Sequence, residues 1–174
     1  VKLAYMAPSI LHPGGTVCEP VDVPVNKRHL DMVYADMKYS SKPFMESVTA
    51  PKRAADTEAK VEIIFGEDFV HQNTAKTSLI NVNSPMTHDP IMLGALKNYS
   101  SANQAVIIMP FIMPGAMAPG RVLGTLALAL ADAMAGITLT QLIRPGALII
   151  FGLVSASLSM QSGAQTFGTP KPTS

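Results

Sequence analysis

The pattern of apolar and polar positions divides the chain into alternating helical and extended segments. Apolar residues recur every three or four positions in some segments and form short unbroken runs in others. The helical spacing predicts helices over 23–40, 50–66, 90–100 and a region from Pro119 to about residue 143. The apolar runs and one shorter stretch predict strands over 42–48, 77–82, 105–109 and 147–151.

Local signals predict where these helices begin, end or change. Thr49 can cap the second helix, and Gly66 is suited to end it. Asp89 and Pro90 form a start signal for the next helix, because an acidic cap followed by proline suits a first turn. We expect the long helix after Pro119 to be interrupted or bent near Gly136.

The order of the elements predicts an α/β fold with a parallel sheet, because strands that alternate with helices are joined by right-handed crossovers. Such a sheet either stays open and doubly wound or closes into a barrel. Neither G-x-G-x-x-G nor G-x-x-x-x-G-K-[ST] follows a strand, which removes the usual phosphate-binding argument for the open sheet. We predict β/α repeats forming about half of a TIM (β/α)8 barrel over 23–174, after a lead-in segment over 1–22.

The amino-acid composition limits the classes of protein to which this chain can belong. Hydrophobic residues make up 48% of the chain and charged residues 14%, against about 25% charged in ordinary soluble domains. The formal net charge of +1 and the absence of a basic run argue against nucleic-acid binding. Cys18 is the only cysteine, which suits a reducing, cytoplasmic compartment. The abrupt ends at Val1 and "TPKPTS" lead us to expect an internal piece of a longer protein.

The apolar segment 122–143 could also be a membrane segment, because it is long enough to cross a bilayer. Asp132 lies at its middle, and a charge there is costly in lipid. Flanking aromatic belts are missing, and the chain has no Trp. We therefore favour a soluble barrel without a membrane contact, and keep a membrane-associated segment over 122–160 as the alternative.

Candidate site residues follow from the rule that parallel α/β folds bind ligands at the carboxyl ends of their strands. The rule selects 46–49, 81–85, 109–115 and 152–161. Glu46 is the only carboxylate near a predicted strand end, while Asn83 and Ser84 offer neutral polar groups. No metal-ligand spacing, nucleophile elbow or self-evident acid–base pair occurs, so we assign no catalytic residue and no metal. The pattern suits binding and positioning more than proton transfer.

Four motifs in order, "INVNSPMTHDPIMLGAL", "VIIMPFIMPGAMAPG", "AGITLTQLIRPGA" and "MQSGAQTFGTP", together resemble the trimethylamine methyltransferase family. The similarity runs from about residue 19 to residue 170. Members of this family look like TIM barrels that move a methyl group from a methylamine or quaternary amine to a corrinoid protein, and the family is linked to methanogenesis.

The resemblance implies transfer of a methyl group from trimethylamine or a glycine-betaine-like amine to cobalt(I). The corrinoid would belong to a partner protein docked over the barrel mouth, and we expect a homo-oligomer. The implied substrate-binding residues are Glu46, Asn81, Asn83, Ser84, Phe111 and Gln161. The implied rim facing the corrinoid consists of Pro110, Gly115, Gly152 and Ser155. Alternatively, a non-catalytic binding barrel retains this scaffold. We expect the chain alone to be inactive.

Overall fold

The computed structural model describes residues 1–12, 14, 18–46, 50–159 and 161–166. Helices and strands alternate through most of these ranges. The helices are α1 Lys2–Met6, α2 Val25–Tyr39, α3 Pro51–Phe65, α4 Glu67–Gln72, α5 Pro90–Ser101 and α6 Val122–Ile143. The strands are β1 Met45–Glu46, β2 Thr77–Asn83, β3 Ala105–Ile112, β4 Ile149–Phe151, β5 Val154–Ser155, β6 Ser157–Leu158 and β7 Gln165–Thr166.

The main sheet is parallel, in the order β1-β2-β3-β4, and β5 pairs with β3 beyond the end of β4. Strands β2 and β3 pair over seven positions, from Thr77 beside Ala105 to Asn83 beside Phe111. Strands β6 and β7 form a separate antiparallel pair. The predicted α/β fold with a parallel sheet is therefore confirmed.

Three helices pack on one face of this sheet, which we call the helix face. Alternate residues of β2 and β3 are buried there in a single apolar cluster with α3, α5 and α6. The members from the strands are Ile80, Val82, Val106 and Ile108, and those from the helices are Ala54, Ala95, Leu96, Tyr99 and Ala133. Because one core lies between the sheet and all three helices, the strands are held in fixed register against them.

The opposite face of the sheet is more exposed, and we call it the open face. It carries the intervening residues of β2 and β3, whose side chains are half-buried or exposed. They are Leu79, Asn81 and Asn83 in β2 and Ile107, Met109 and Phe111 in β3. None of these six side chains belongs to the apolar cluster of the helix face. In the described residues, the helices of this apolar cluster therefore pack on one face of the sheet.

The predicted helix signals are largely confirmed. The Asp89 side chain accepts hydrogen bonds from the N–H groups of Ile91 and Met92, at 2.6 and 3.2 Å, and so caps α5. Gly66 ends α3 at φ +87°, a conformation that favours glycine. Helix α3 begins after Ala50, without a side-chain hydrogen bond at its cap. Thr49 itself lies outside the described residues.

Helix α6 runs without interruption through Gly136, so the predicted interruption there is wrong. A Cβ atom at Gly136 would lie 2.7 Å from Ile108 Cδ1, which means that the glycine permits close packing of α6 on β3. By length and composition alone, α6 is the one helix in the described part of the chain that could cross a membrane. Its central Asp132 is buried within the protein.

Candidate functional site

The open face brings several of the sequence-predicted residues together at its carboxyl end. Asn81 lies beside Met109, and Asn83 lies beside Phe111, because β2 and β3 pair in parallel at these positions. Gly152 follows β4 on the same side, where a Cβ atom would lie 3.4 Å from side-chain atoms of Ile107 and Met109. The result is a small surface with two amides, one aromatic ring and one position without a side chain.

The two amides on this surface are available to a ligand. Asn81 and Asn83 are exposed, and neither side chain makes a hydrogen bond to another described residue. Each amide offers two N–H donors and a carbonyl acceptor. Asparagine is depleted in strands, so two of them on one face of β2, at and near its carboxyl end, call for an explanation beyond backbone preference.

The segment after β2 forms a closed turn, which we call the 83–87 turn. The Asn83 N–H donates to the Thr87 carbonyl at 3.0 Å, and the Ser84 N–H donates to the Val82 carbonyl at 3.1 Å. Met86 has φ +56°, in the left-handed region that few residues other than glycine adopt. The turn therefore has a defined shape directly at the end of the strand that carries both amides.

An aspartate of α6 accepts two hydrogen bonds from this turn. Asp132 Oδ2 accepts a hydrogen bond from the Ser84 hydroxyl, and Oδ1 accepts one from the Met86 N–H, both at 2.7 Å. The backbone carbonyl of Asp132 lies 3.2 Å from His88 Nε2. The Ser84 hydroxyl is thus directed to Asp132 and not to the open face. Sequence reasoning missed this role and treated Asp132 only as a polar cost.

The predicted rim residues are distributed over both sides of the carboxyl end. Pro110 is buried beside Val82 on the helix face, because it lies one position out of phase with Met109 and Phe111. Ser155 pairs with Ile112 and is exposed, and Gly115 is exposed in a turn at φ +81°. The structure therefore does not bring Pro110 to the open face.

Gln161 lies in the turn between β6 and β7, where it is exposed. The same hairpin contacts the segment after β3, because Gln165 Nε2 lies 3.1 Å from Met113 Sδ. Gln161 is therefore carried by a hairpin that approaches the carboxyl end of the sheet, although no described contact joins it to Asn83 or Phe111.

Glu46 lies apart from these residues. It pairs with Ser78, five positions before Asn83 along β2, a separation of about 16 Å at the usual rise of a strand. Its side chain is only 2% exposed, and its carboxylate forms an ion pair with Lys76 Nζ at 2.7 Å. The Thr57 hydroxyl also donates to it. The structure thus places Glu46 near the amino end of β2, among the helices.

Lys76 forms the centre of a buried ionic cluster there. Its ammonium lies 2.8 Å from Glu58 Oε1, close enough for a strong ion pair although the hydrogen-bond geometry is not met. It also lies 4.1 Å from the centre of the Tyr99 ring. Burial raises the pKa of Glu58 to about 7, an effect that the positive charge of Lys76 opposes. The charges of this ionic cluster are directed at one another.

The chemistry available on the open face is binding and orientation. Across the described ranges, no three His, Cys, Asp or Glu side chains come together in a way that could hold a metal ion. The amides of Asn81 and Asn83 and the ring of Phe111 neither gain nor lose protons near neutral pH. These three side chains can hold a small polar or cationic molecule, and none of them can transfer a proton to it.

Comparison with known proteins identifies a matching family and two similar proteins. The family model for trimethylamine methyltransferase (MTTB) matches residues 1–174. The chain is 42% identical over 171 residues to a glycine betaine methyltransferase of Desulfitobacterium hafniense (strain Y51), covering 98% of the chain and 36% of the relative. It is 30% identical over 149 residues to a proline betaine:corrinoid methyltransferase of Eubacterium limosum, covering 82% and 31%. The chain spans about a third of the length of these relatives.

Proposed function

Because the chain belongs to the trimethylamine methyltransferase family, we propose that it forms an arc of a (β/α)8 barrel that transfers a methyl group from an amine to a corrinoid protein. A sheet with helices on one face and polar groups at the carboxyl end of the other suits such an arc. The observation that carries the proposal is the pair of amides, Asn81 and Asn83, which lie with Phe111 on the open face and make no hydrogen bond to another described residue.

The substrate that this surface suits best is a betaine, a quaternary ammonium that also carries a carboxylate. Both reported relatives are named for betaines. A quaternary nitrogen has no N–H to donate, so it is bound by aromatic faces such as that of Phe111. The N–H groups of Asn81 and Asn83 can donate to a betaine carboxylate. Glu46 is not included, because its carboxylate is buried and paired with Lys76.

In this mechanism, the residues of the chain position the substrate and exclude water. A quaternary amine leaves as a neutral tertiary amine, because the electron pair of the broken C–N bond stays on nitrogen. No general acid is then needed, which agrees with the proton-inert groups on the open face. The corrinoid of the partner supplies the cobalt(I) nucleophile. Alignment of one N-methyl group with that acceptor is the main source of rate that these residues can provide.

The amides and the phenyl ring on the open face suit a site from which a methyl group passes to an external acceptor. Amide and phenyl groups do not compete for an electrophilic methyl group. Gly152 leaves room beside Met109 on the open face, since a side chain there would begin in contact with Met109 and Ile107.

The test is methyl transfer by the full-length protein mixed with cob(I)alamin and, in separate reactions, glycine betaine, proline betaine and trimethylamine. We expect loss of cob(I)alamin absorbance with a betaine and one demethylated amine formed per cobalt consumed. Asn83→Ala should lower kcat/KM by about tenfold, roughly the loss of one good hydrogen bond. Its unfolding midpoint should stay unchanged, because the amide makes no bond to a described residue.

Asn26→Ala is the matched control, since Asn26 is an exposed residue of α2. It should leave kcat/KM unchanged. A folded protein that binds a betaine and never demethylates it would favour the non-catalytic binding barrel. Full activity in Asn83→Ala would remove Asn83 from the site.

A further inference from the structure

Helix α6 carries a buried carboxylate in an otherwise apolar segment. Asp132 is 1% exposed and lies between the buried residues Ala129 and Gly136. Aspartate is a poor helix former, and a buried charge destabilises a protein unless its partners compensate. Both oxygens of Asp132 accept short hydrogen bonds, and both donors belong to the 83–87 turn. The position of this carboxylate is thus matched to one turn of the chain.

The 83–87 turn needs such support because of its backbone. Met86 has φ +56°, which is strained for a residue with a side chain, and its N–H donates to Asp132. The Ser84 hydroxyl donates to the other oxygen. The other hydrogen bonds between described residues of the turn are local, such as Asn83 N–H to Thr87 at 3.0 Å, and the adjacent His88 lies 3.2 Å from the Asp132 backbone carbonyl. The carboxylate therefore contributes two of the hydrogen bonds that join this part of the chain to α6.

We propose that Asp132 is a positioning residue that fixes the direction of Asn83 through the 83–87 turn. This inference rests on the proposed function, because it concerns the same amine site. Asn83 is both the last residue of β2 and the first residue of the turn. A shift of the turn therefore moves the amide relative to Phe111, and displacements of about 1 Å are enough to cost roughly 100-fold in rate.

A direct electrostatic role for Asp132 makes a different prediction. If its negative charge attracted the cationic substrate, any neutral replacement would be harmful. If it acts by positioning, Asp132→Asn retains most of the activity that Asp132→Ala loses. The asparagine carbonyl can accept from the Met86 N–H while its amide donates to the Ser84 oxygen, so both links to the turn persist without the charge.

The kinetic test compares Asp132→Ala, Asp132→Asn and Thr140→Val in the full-length protein. Thr140 is the matched control, because it is buried in α6 and its hydroxyl donates to Gly136 within the same helix at 2.9 Å. We expect Asp132→Ala to lower kcat/KM for a betaine about 10- to 100-fold, with most of the loss in kcat. Thr140→Val and Asp132→Asn should stay within about threefold of wild type at temperatures where all are folded.

Equal activity of Asp132→Ala and Thr140→Val would overturn the inference, and equal losses in Asp132→Ala and Asp132→Asn would favour the electrostatic role instead. If Asp132→Ala does not fold, Ser84→Ala removes one of the two links and should lower kcat/KM about 3- to 10-fold. Unchanged kinetics in that variant would also overturn the inference.

Amide hydrogen exchange separates this inference from the proposed function. In Asp132→Ala, exchange at Met86 should rise about tenfold or more, whereas Thr140→Val should leave it unchanged. This measurement does not depend on activity. A wild-type protein that demethylates no amine would contradict the proposed function, whereas unchanged exchange at Met86 in a folded Asp132→Ala variant would contradict the role of Asp132.

Discussion

Polar residues lie at both ends of β2, but one set is buried and paired within the protein, whereas the other is exposed. At the amino end, Lys76 is buried with Glu46 and Glu58 among the helices, and its ammonium forms ion pairs with both carboxylates. At the carboxyl end, Asn81 and Asn83 are exposed on the open face, and their amides have no described partner. The charges of the first set are paired within the protein, whereas the amides of the second set remain available to a ligand.

The difference shows how structural and functional polar residues can be distinguished in an apolar sheet. A buried charge destabilises a protein unless it is paired, so removal of the cation that two buried carboxylates share should lower the stability of the fold. An exposed amide is solvated by water and needs no protein partner, so its hydrogen-bonding groups stay available. Removal of a residue from the ionic cluster should therefore affect stability, and removal of an exposed amide should affect binding.

Lys76→Met should give the largest effect, because it leaves two buried carboxylates without their shared cation. We expect a loss of about 3–5 kcal/mol in the free energy of unfolding, measured by urea titration of the full-length protein. Lys52→Met is the control, since Lys52 is exposed on α3, and it should change stability by less than about 0.5 kcal/mol. A loss below about 1 kcal/mol in Lys76→Met would show that the ionic cluster is dispensable.

Glu58→Gln should change how stability depends on pH. Burial raises the pKa of Glu58 from 4.5 to about 7 in the folded protein. Between these values the folded state binds more protons than the unfolded state, so this group makes the free energy of unfolding fall as pH rises. The fall should total about 3 kcal/mol, at 1.36 kcal/mol for each pKa unit.

Replacement by glutamine removes that contribution, so the stability of Glu58→Gln relative to wild type should increase by about this amount between pH 4.5 and pH 7. Urea titrations at several pH values measure the difference. Glu67→Gln is the control, because the Glu67 side chain is 76% exposed, and its difference from wild type should stay nearly constant. Parallel stability profiles for Glu58→Gln and wild type would show that Glu58 stays ionised in the folded state.

The elements could be predicted from the sequence where their signals are local. The start of α5 follows from Asp89 and Pro90, and the apolar runs identify β2 and β3. Gly136 shows the limit of local signals. Glycine weakens an isolated helix, but close packing on Ile108 keeps α6 continuous and favours glycine there. Tertiary contacts at this position outweigh the intrinsic preference of the residue.

The candidate site could be predicted only in part, because strand register is not a local property. The carboxyl-end rule selected both Glu46 and Asn83, but the pairing of Glu46 with Ser78 separates them by five positions along β2. Asp132 was missed for the same kind of reason. Its partner Ser84 lies 48 residues away in sequence, and no motif links the two.

The most direct test of the distinction between the two ends of β2 is the structure of the full-length protein with bound glycine betaine. We predict that the trimethylammonium group lies within about 6 Å of the Phe111 ring centre, as a cation–aromatic contact requires. The betaine carboxylate should lie within hydrogen-bonding distance of Asn81 or Asn83, and the ligand more than about 10 Å from Glu46, given the register of β1 and β2. A betaine bound against Glu46 and Lys76 would contradict this account.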